Sequence, residues 1–458
     1  MLRWWHIVPL GLIGVVLLAK LSAPTSDVPS RPRNLLVITL DTLRADRLPL
    51  YGFQGFSTPA LDRIAAEGMV VEEAFASAPL TLPSHTSIFT GLHPPRHGVR
   101  DNASPPLSPE FWTLAEILRA HGLQTAGFVA SVVVGPGRGL DQGFDHYSAG
   151  DPARCEGAPT RRRAGEVVNE ALSWLDGHES KPFFVWMHLF DAHRPYDLPN
   201  DYRDRHFDPY LAAIMYVDSQ IARLIEHLAA RKLLDSTLII VVGDHGESLG
   251  GHGEESHGIF LYQEALRVPF IVSGPGVAPG RSRIARLIDV MPTVLDLFGL
   301  PVRGLDGISL ARANSRSDGP SLEVYSESMY PNRYGWAPLR SLRAGRYKFI
   351  DAPRAELYDL ATDPMEEHNV IADHPTVAGA MVRRLRTIDR EQKAPAGARV
   401  DRAVAEQLAS LGYVARIGPQ GPAATSARQP DPKDHIDTYN RLTRLQWQDA
   451  HRRRSSCR

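Results

Sequence analysis

Three short stretches hold side chains that could do chemistry together. "NLLVITL" ends in Asp41, and "STLIIVVGDHGE" ends in Asp244, His245, Gly246 and Glu247. Two carboxylates and an imidazole can hold one divalent cation and leave positions open for a nucleophile and a substrate oxygen. The third stretch, "APLTLPSHTSIFTGL", contains Thr81. A free threonine hydroxyl is a poor nucleophile, but a bound cation lowers its effective pKa and neutralises charge on a phosphate or sulfate oxygen. Pro83 and Ser84 predict a helix beginning just after Thr81, where backbone N–H groups and the helix dipole favour an anion. On these residues alone two roles stay open for Thr81, nucleophile or helix cap. Asp-His before a glycine turn is also common at strand ends.

Histidines and amides gather near the same motifs. "GLHPPRHGVRDN" supplies His93, His97 and Asn102, "HLFDAHRPY" supplies His188, Asp191 and His193, and "GHGEESHGIFLY" supplies His252 and His257. Imidazoles beside Gly and Pro turns can donate to non-bridging oxygens, and one can protonate a leaving group. Arg44 and Arg47 in "DTLRADRL" are either partners of this site or salt-bridged surface residues. Oxygen-rich ligands with one imidazole suit Mg²⁺, Mn²⁺ or Ca²⁺ and admit Zn²⁺. Asp191, His193, His252 and His257 could contribute to a second metal, but one metal is the expectation.

The elements that must position these residues follow from periodicity. "NLLVITL", "QTAGFVA", "PFFVWMHLF", "STLIIVVGDHGE" and "VPFIVSG" read as buried strands. Between them, "TPALDRIAAEG" (Thr58 as N-cap), "TLAEILRAHG", "RRRAGEVVNEALSWL" and "LIDVMPTVLDLFG" read as helices. Residues 209–232 place Leu211, Ile214, Met215, Val217, Ile221, Leu224 and Leu228 on one helical face. The alternation predicts an α/β fold, a mostly parallel central sheet flanked by helices on both faces. Ligands in such sheets sit beyond the carboxyl ends of the strands, where Asp41, His188 to His193 and Asp244–His245 would meet. After about residue 315, "LEVYSES", "LRSLRAG", "YKFID", "AELYDL" and "HPTVAGAMVRRLRTIDREQ" predict a small C-terminal antiparallel sheet with one helix.

The whole chain sets bounds. Its 458 residues carry 51 Lys plus Arg against 52 Asp plus Glu, which gives no electrostatic basis for a nucleic-acid partner. Only Cys155 and Cys457 are present, too few for a disulfide framework or a cysteine zinc cluster. "MLRWWHIVPLGLIGVVLLAK" combines Arg3 with an apolar run, short for a membrane span but suited to a signal peptide or signal anchor. The expected organisation is residues 1–32 as signal segment and linker, 33–315 as the catalytic α/β domain, 316–417 as an α+β subdomain, and 418–458 as linker and polar basic tail. Export to the cell envelope, with membrane contact through the N-terminal segment, is the expected location.

Five ordered blocks, "LLVITLDTLRADRLPLYG", "TLPSHTSIFTGLHPPRHGV", "FFVWMHLFDAHRPY", "GDHGESLGGHGEESHGIFLYQEALRVPFIVSGPG" and "LYDLATDPMEEHNV", closely resemble the sulfatase family of the alkaline phosphatase superfamily. The match runs from about residue 33 to 395. The resemblance implies that Asp41, Asp244 and His245 are metal ligands and that Thr81 is the nucleophile and itself binds the metal. His193 matches a histidine at the substrate anion, and Asn102 an anion contact. His85 falls where the family's Cys-x-Pro-Ser-Arg signature has arginine, His257 near a sulfate-contacting lysine, and Thr42 where a second ligand Asp often stands; all three are expected to contact the substrate anion. His193 and His257 are thereby also candidate catalytic residues.

The departures point to chemistry. The family's sulfatases oxidise Cys or Ser to formylglycine; threonine cannot yield that aldehyde. A threonine ester must be cleared by attack at phosphorus or sulfur, and metal-assisted attack at phosphorus suits that route. Threonine also resembles the nucleophile of the family's phosphotransferase and phosphodiesterase relatives. The expectation is a metal-dependent hydrolase or phosphotransferase with one divalent ion, acting on an anionic ester (small molecule, lipid headgroup or glycan). The alternatives are a sulfatase with unmodified threonine and a catalytically silent binding protein of the same fold.

Overall fold

The computed structural model describes residues 31–150, 161–203, 208–311, 322–390, 406, 408, 409, 411, 413 and 429–455. The proposed signal segment, both cysteines and most of the proposed linker lie outside these residues. No helix among the described residues is long and apolar enough to cross a membrane.

Nine strands form the main sheet: β1 (Asn34–Leu40), β2 (Gly68–Phe75), β3 (Gln124–Val129), β4 (His146–Ser148), β5 (Phe183–Leu189), β6 (Thr237–Gly243), β7 (Arg267–Val268), β8 (Phe270–Ser273) and β9 (Gly280–Arg286). Their order is β4-β3-β5-β1-β6-β8-β2-β7, with β9 also on β2. β1 lies between β5 and β6, parallel to both, and every residue of these three strands is buried. Continuous apolar runs are what a strand covered on both faces requires. The antiparallel pairs, β6–β8, β2–β8 and β2–β7, are confined to one side of the sheet.

Helices Pro59–Ala66, Leu114–Ala120, Ala164–His178, Pro209–Ala230 and Val290–Leu297 confirm the helical readings. On Pro209–Ala230 the buried face includes Ile214, Val217, Ile221, Leu224 and Leu228, while Leu211 and Met215 are only half-buried. Thr58 occupies the N-cap position of Pro59–Ala66, but its hydroxyl makes no cap. The cap comes instead from another helix: Asp218 accepts from Ala60 N (3.2 Å) and Leu61 N (2.9 Å).

The second sheet is antiparallel, in the order β10 (Val324–Ser328), β11 (Leu339–Ala344), β12 (Tyr347–Asp351), β13 (Glu356–Asp359). Helix Pro375–Arg390 covers it through Ala378, Met381 and Leu385. Lys348 and Glu366 form a buried ion pair at 2.6 Å there, and Gln263 N of the main domain donates to the same Glu366.

The C-terminal residues depart from the expected tail. Ile436–Ser455 is a helix with Tyr439, Asn440 and Thr443 buried. Apolar residues are too sparse there for composition to reveal a docked helix, because much of its seating is polar. Asn440 exchanges hydrogen bonds with Gly253 O and Glu255 N, and Tyr439 donates to His257 O (2.6 Å).

Candidate active site

Strand register brings the two aspartates together. Leu40 lies opposite Leu189 on one side and Gly243 on the other. Asp41 and Asp244 are the next residues on neighbouring strands, with Asp41 N donating to Leu189 O and Asp244 N to Leu40 O. The conformation at Thr42 (φ 56°) turns the chain away from the sheet just beyond Asp41. A left-handed β-branched residue is costly. Here its N–H donates to Asp244 Oδ1 (3.2 Å), its hydroxyl to Asp41 O (2.7 Å), and its carbonyl accepts from Tyr210 (2.8 Å). The expected anion contact by Thr42 is therefore corrected: its hydroxyl is committed to the backbone, and its amide orients Asp244.

Asp41, Asp244, His245 and Thr81 are fully buried. Asp41 Oδ2 accepts from His188 Nε2 (3.0 Å) and Thr81 Oγ1 (3.4 Å), while Asp41 Oδ1 and Asp244 Oδ2 have no hydrogen-bond partner. His245 Nδ1 lies 2.9 Å from Gly246 O, which fixes the proton on that nitrogen and leaves a lone pair on Nε2. That Nε2 is 3.8 Å from Asp41 Oδ1, 3.6 Å from Asp244 Oδ2 and 3.4 Å from Thr81 Oγ1. Ligand atoms of Asp41, Asp244 and His245 all lie within 4.8 Å of one another. Two orphaned carboxylate oxygens facing an imidazole lone pair make an unstable arrangement that a cation relieves. The residues thus fit one divalent ion. Burial pushes both carboxyls above their ordinary range, helped by Glu247 for Asp41 and by Asp41 for Asp244. Burial likewise keeps His245 neutral.

Thr81 is the first residue of helix Thr81–Thr90, after extended Leu80, so it does not cap that helix. The helix begins at Thr81 rather than after it. Its free amides are fewer than the motif suggested: Pro83 has none, Leu82 N donates to Asn102 Oδ1 (2.9 Å), and Ser84 N to Leu80 O. Asn102 is buried with Nδ2 unpartnered, a donor held against the Thr81 turn.

His85 does not face outward to an anion as expected. Its Nδ1 engages Thr81 O (2.8 Å), one helical turn back, and its Nε2 engages Thr39 Oγ1 (2.8 Å). With both nitrogens occupied it props the Thr81 turn from below. His85, His188 and Asp244 form a second cluster of metal-compatible atoms sharing Asp244 with the first.

His193 and His257 meet beside His245. Their ring centroids are 5.0 Å apart, and His257 is 4.5 Å from the His245 ring. Burial lowers the His193 pKa, and the neighbouring His257 adds to that. Burial acts to lower His257, but the carboxylates around it, Glu247 first (3.3 Å from its Nδ1) with Asp41 and Glu254, together raise it. Between the two rings sits Tyr413 OH, 3.2 Å from His193 Nε2 and 3.0 Å from His257 Nε2. Neither Tyr413 nor the pairing of Glu247 with His257 was visible in the motifs. Glu247 stood in the "GDHGE" block without a partner, and Tyr413 lies over 150 residues further along the chain.

Other flagged side chains serve the scaffold. Arg44 clamps Glu247 O and Ser248 O, and pairs with Asp46. Arg47 packs on Phe53. His97 bonds Ser87 and Val99 N, His93 packs on Tyr325, and His252 pairs with Glu264. Asp191 accepts from Ala164 N at the start of a helix.

Comparison with known proteins places this geometry in a family. The sulfatase family model matches residues 33–300, and the C-terminal model of N-sulphoglucosamine sulphohydrolase matches residues 254–391. The chain belongs to the sulfatase family, and is by that membership an ester hydrolase or transferase. Choline-sulfatase of Rhizobium meliloti is 27% identical over 436 residues, covering 75% of this chain and 83% of the relative. Human arylsulfatase A is 25% identical, covering 77% and 85%. Among solved structures, the phosphonate monoester hydrolase of Agrobacterium radiobacter superposes with a TM-score of 0.65 at 20% identity, covering 79% of this chain and 96% of that one. A complex with D-glucosamine-2-N,6-O-disulfate gives a TM-score of 0.67 at 22% identity, covering 79% and 98%.

Proposed function

We propose that this protein is a cation-dependent hydrolase or phosphotransferase that cleaves a phosphate mono- or diester through Thr81. The observation that carries the reading is the placement of Thr81 Oγ1, 3.4 Å from both Asp41 Oδ2 and His245 Nε2, beside two carboxylate oxygens without partners. A divalent ion held by Asp41, Asp244 and His245 would acidify the hydroxyl and screen the substrate's charge. Mg²⁺, Mn²⁺, Ca²⁺ and Zn²⁺ are the candidates.

The chain's own groups divide the remaining work. Asp41 Oδ2 takes the Thr81 proton as Oγ1 forms its bond to phosphorus. The bond from phosphorus to the leaving oxygen breaks, and His257 Nε2 gives that oxygen a proton, its other nitrogen being held by Glu247. Water, or an acceptor alcohol, then attacks phosphorus, returns its proton to His257, and Thr81 Oγ1 leaves with the proton from Asp41. Asn102 Nδ2 is the amide donor for a non-bridging oxygen. This route needs no aldehyde, which threonine cannot provide.

Sulfuric ester hydrolysis is the second reading, favoured by the sulfatase names of the curated relatives. Export to the cell envelope accompanies both readings and rests on the sequence of residues 1–20. The test is a panel of aryl phosphomonoesters, phosphodiesters and sulfates, assayed with each cation. The reading predicts a phosphate ester as the best substrate and loss of at least about a thousandfold in Thr81→Ala, as for other activated nucleophiles. Turnover undiminished in Thr81→Ala overturns it.

A further inference from the structure

Each carboxylate of the cation site presents one oxygen and withholds the other. Asp244 Oδ1 accepts from His245 N (2.7 Å) and Thr42 N (3.2 Å), which leaves Oδ2. Asp41 Oδ2 accepts from His188 Nε2 (3.0 Å) and the Thr81 hydroxyl (3.4 Å), which leaves Oδ1. The two oxygens left over are the two without hydrogen-bond partners. Among the described residues, the site thus offers a cation two single carboxylate oxygens and His245 Nε2, with Thr81 Oγ1 3.4 Å from that nitrogen. Glu247 faces His257 at 3.3 Å and joins neither metal-compatible cluster.

Backbone amides hold Asp244, but a side chain holds Asp41. His188 is fully buried on β5, directly opposite Thr39 of β1, and its ring packs against those of His85 (centroids 5.0 Å apart) and Phe190 (6.0 Å). Ligated to a cation, Asp41 is ionised and only accepts, so the His188 proton sits on Nε2. His85 does not turn this region into a second metal site. Its Nδ1 lies 2.8 Å from the Thr81 carbonyl and must donate to it. Trp186 Nε1 donates to Thr39 Oγ1 (3.0 Å), which leaves the Thr39 hydroxyl to donate to His85 Nε2 (2.8 Å). Both imidazoles are therefore N–H donors to the site rather than ligands in it.

We propose that His188 is a positioning residue that confines Asp41 to single-oxygen ligation, so that the site selects Mn²⁺ or Zn²⁺ over Ca²⁺. The proposal rests on the reading of Asp41, Asp244 and His245 as cation ligands. Ca²⁺ takes roughly six to eight oxygens and gains from carboxylates that ligate through both. One imidazole nitrogen beside two single oxygens is a poor set for Ca²⁺ and a good one for Mn²⁺ or Zn²⁺. With His188 in place, Asp41 Oδ2 stays with the Thr81 hydroxyl. Without it, that oxygen is free to turn onto the cation and supply a contact that Ca²⁺ lacks.

The experiment is calorimetric titration of Mn²⁺ and of Ca²⁺ into the full-length protein, comparing wild type with three variants. His188→Phe keeps a packed ring and removes the N–H. His188→Asn has an amide too short to reach Asp41, and His188→Gln places an amide N–H near the position of Nε2. Wild type is expected to bind Mn²⁺ at least about tenfold tighter than Ca²⁺. That preference should narrow by about tenfold in the Phe and Asn variants, the usual scale for loss of a hydrogen-bond partner behind a metal ligand, and persist in the Gln variant. Loss of packing alone weakens both cations and leaves the ratio where it was. Equal binding of the two cations by wild type, a ratio unchanged in Phe and Asn, or one that narrows as much in Gln overturns the proposal. Absence of cation binding overturns it together with the cation reading. The nucleophile is judged separately. A His188-dependent preference for Mn²⁺ with turnover undiminished in Thr81→Ala sustains this proposal and sinks the catalytic reading. Thr81-dependent turnover with Ca²⁺ bound as tightly as Mn²⁺ does the reverse.

Discussion

Asp244 and Asp41 hold opposite obligations in the cation-free and cation-bound protein. Buried carboxylate oxygens without donors destabilise the fold, and the same oxygens are what a cation requires. Asp244→Asn is therefore expected to weaken cation binding at least about a hundredfold, read by calorimetry. It should also raise the stability of the cation-free protein by about 1 kcal/mol, the scale of one unsatisfied buried group. A variant that keeps cation affinity contradicts the ligand assignment. Proton competition gives a second check. The carboxyl pKa values are raised by burial, so the cation-free site holds protons near neutrality that a cation must displace. Cation affinity should rise as pH increases through the neutral range, with protons released on binding. These residues were legible because each ended an apolar run. The reassignment of Thr42 and His85 was not, because a left-handed turn and a hydrogen bond to the preceding helical turn leave no mark in a one-dimensional spacing.

The elements position the site by register rather than by local propensity. β1, β5 and β6 read clearly as buried strands, and their parallel order follows once helices alternate with them. What the pattern could not supply was the offset that sets Leu40 opposite both Leu189 and Gly243. Capping shows the same limit. Thr58 carries the composition of a cap, yet the Asp218 carboxylate, from a helix far along the chain, receives the amides. Asp218→Ala is expected to destabilise the protein by about 1–2 kcal/mol, as for a lost helix cap, while cation affinity stays unchanged. Thr58→Ala should move stability far less; a larger loss at Thr58 than at Asp218 in thermal unfolding contradicts the assignment.

At the scale of the whole molecule, the small sheet is joined to the main one by charged pairs. Arg343 reaches Glu73 of β2 at 2.7 Å, and Glu366 binds both Lys348 and Gln263 N. Lys348→Met leaves Glu366 buried and unpaired, and is expected to cost about 3–5 kcal/mol in unfolding free energy. The two-sheet architecture was readable from the change in texture after residue 315. The docked C-terminal helix was not, since its seat is built largely from tyrosine and asparagine hydrogen bonds to a loop more than 180 residues earlier. The central claim nevertheless reduces to one oxygen atom. Mass spectrometry of the cation-loaded protein, trapped during turnover of an aryl phosphate ester, should find the phosphoryl group on Thr81. Turnover with Thr81 unmodified and an undiminished rate in Thr81→Ala would contradict the account.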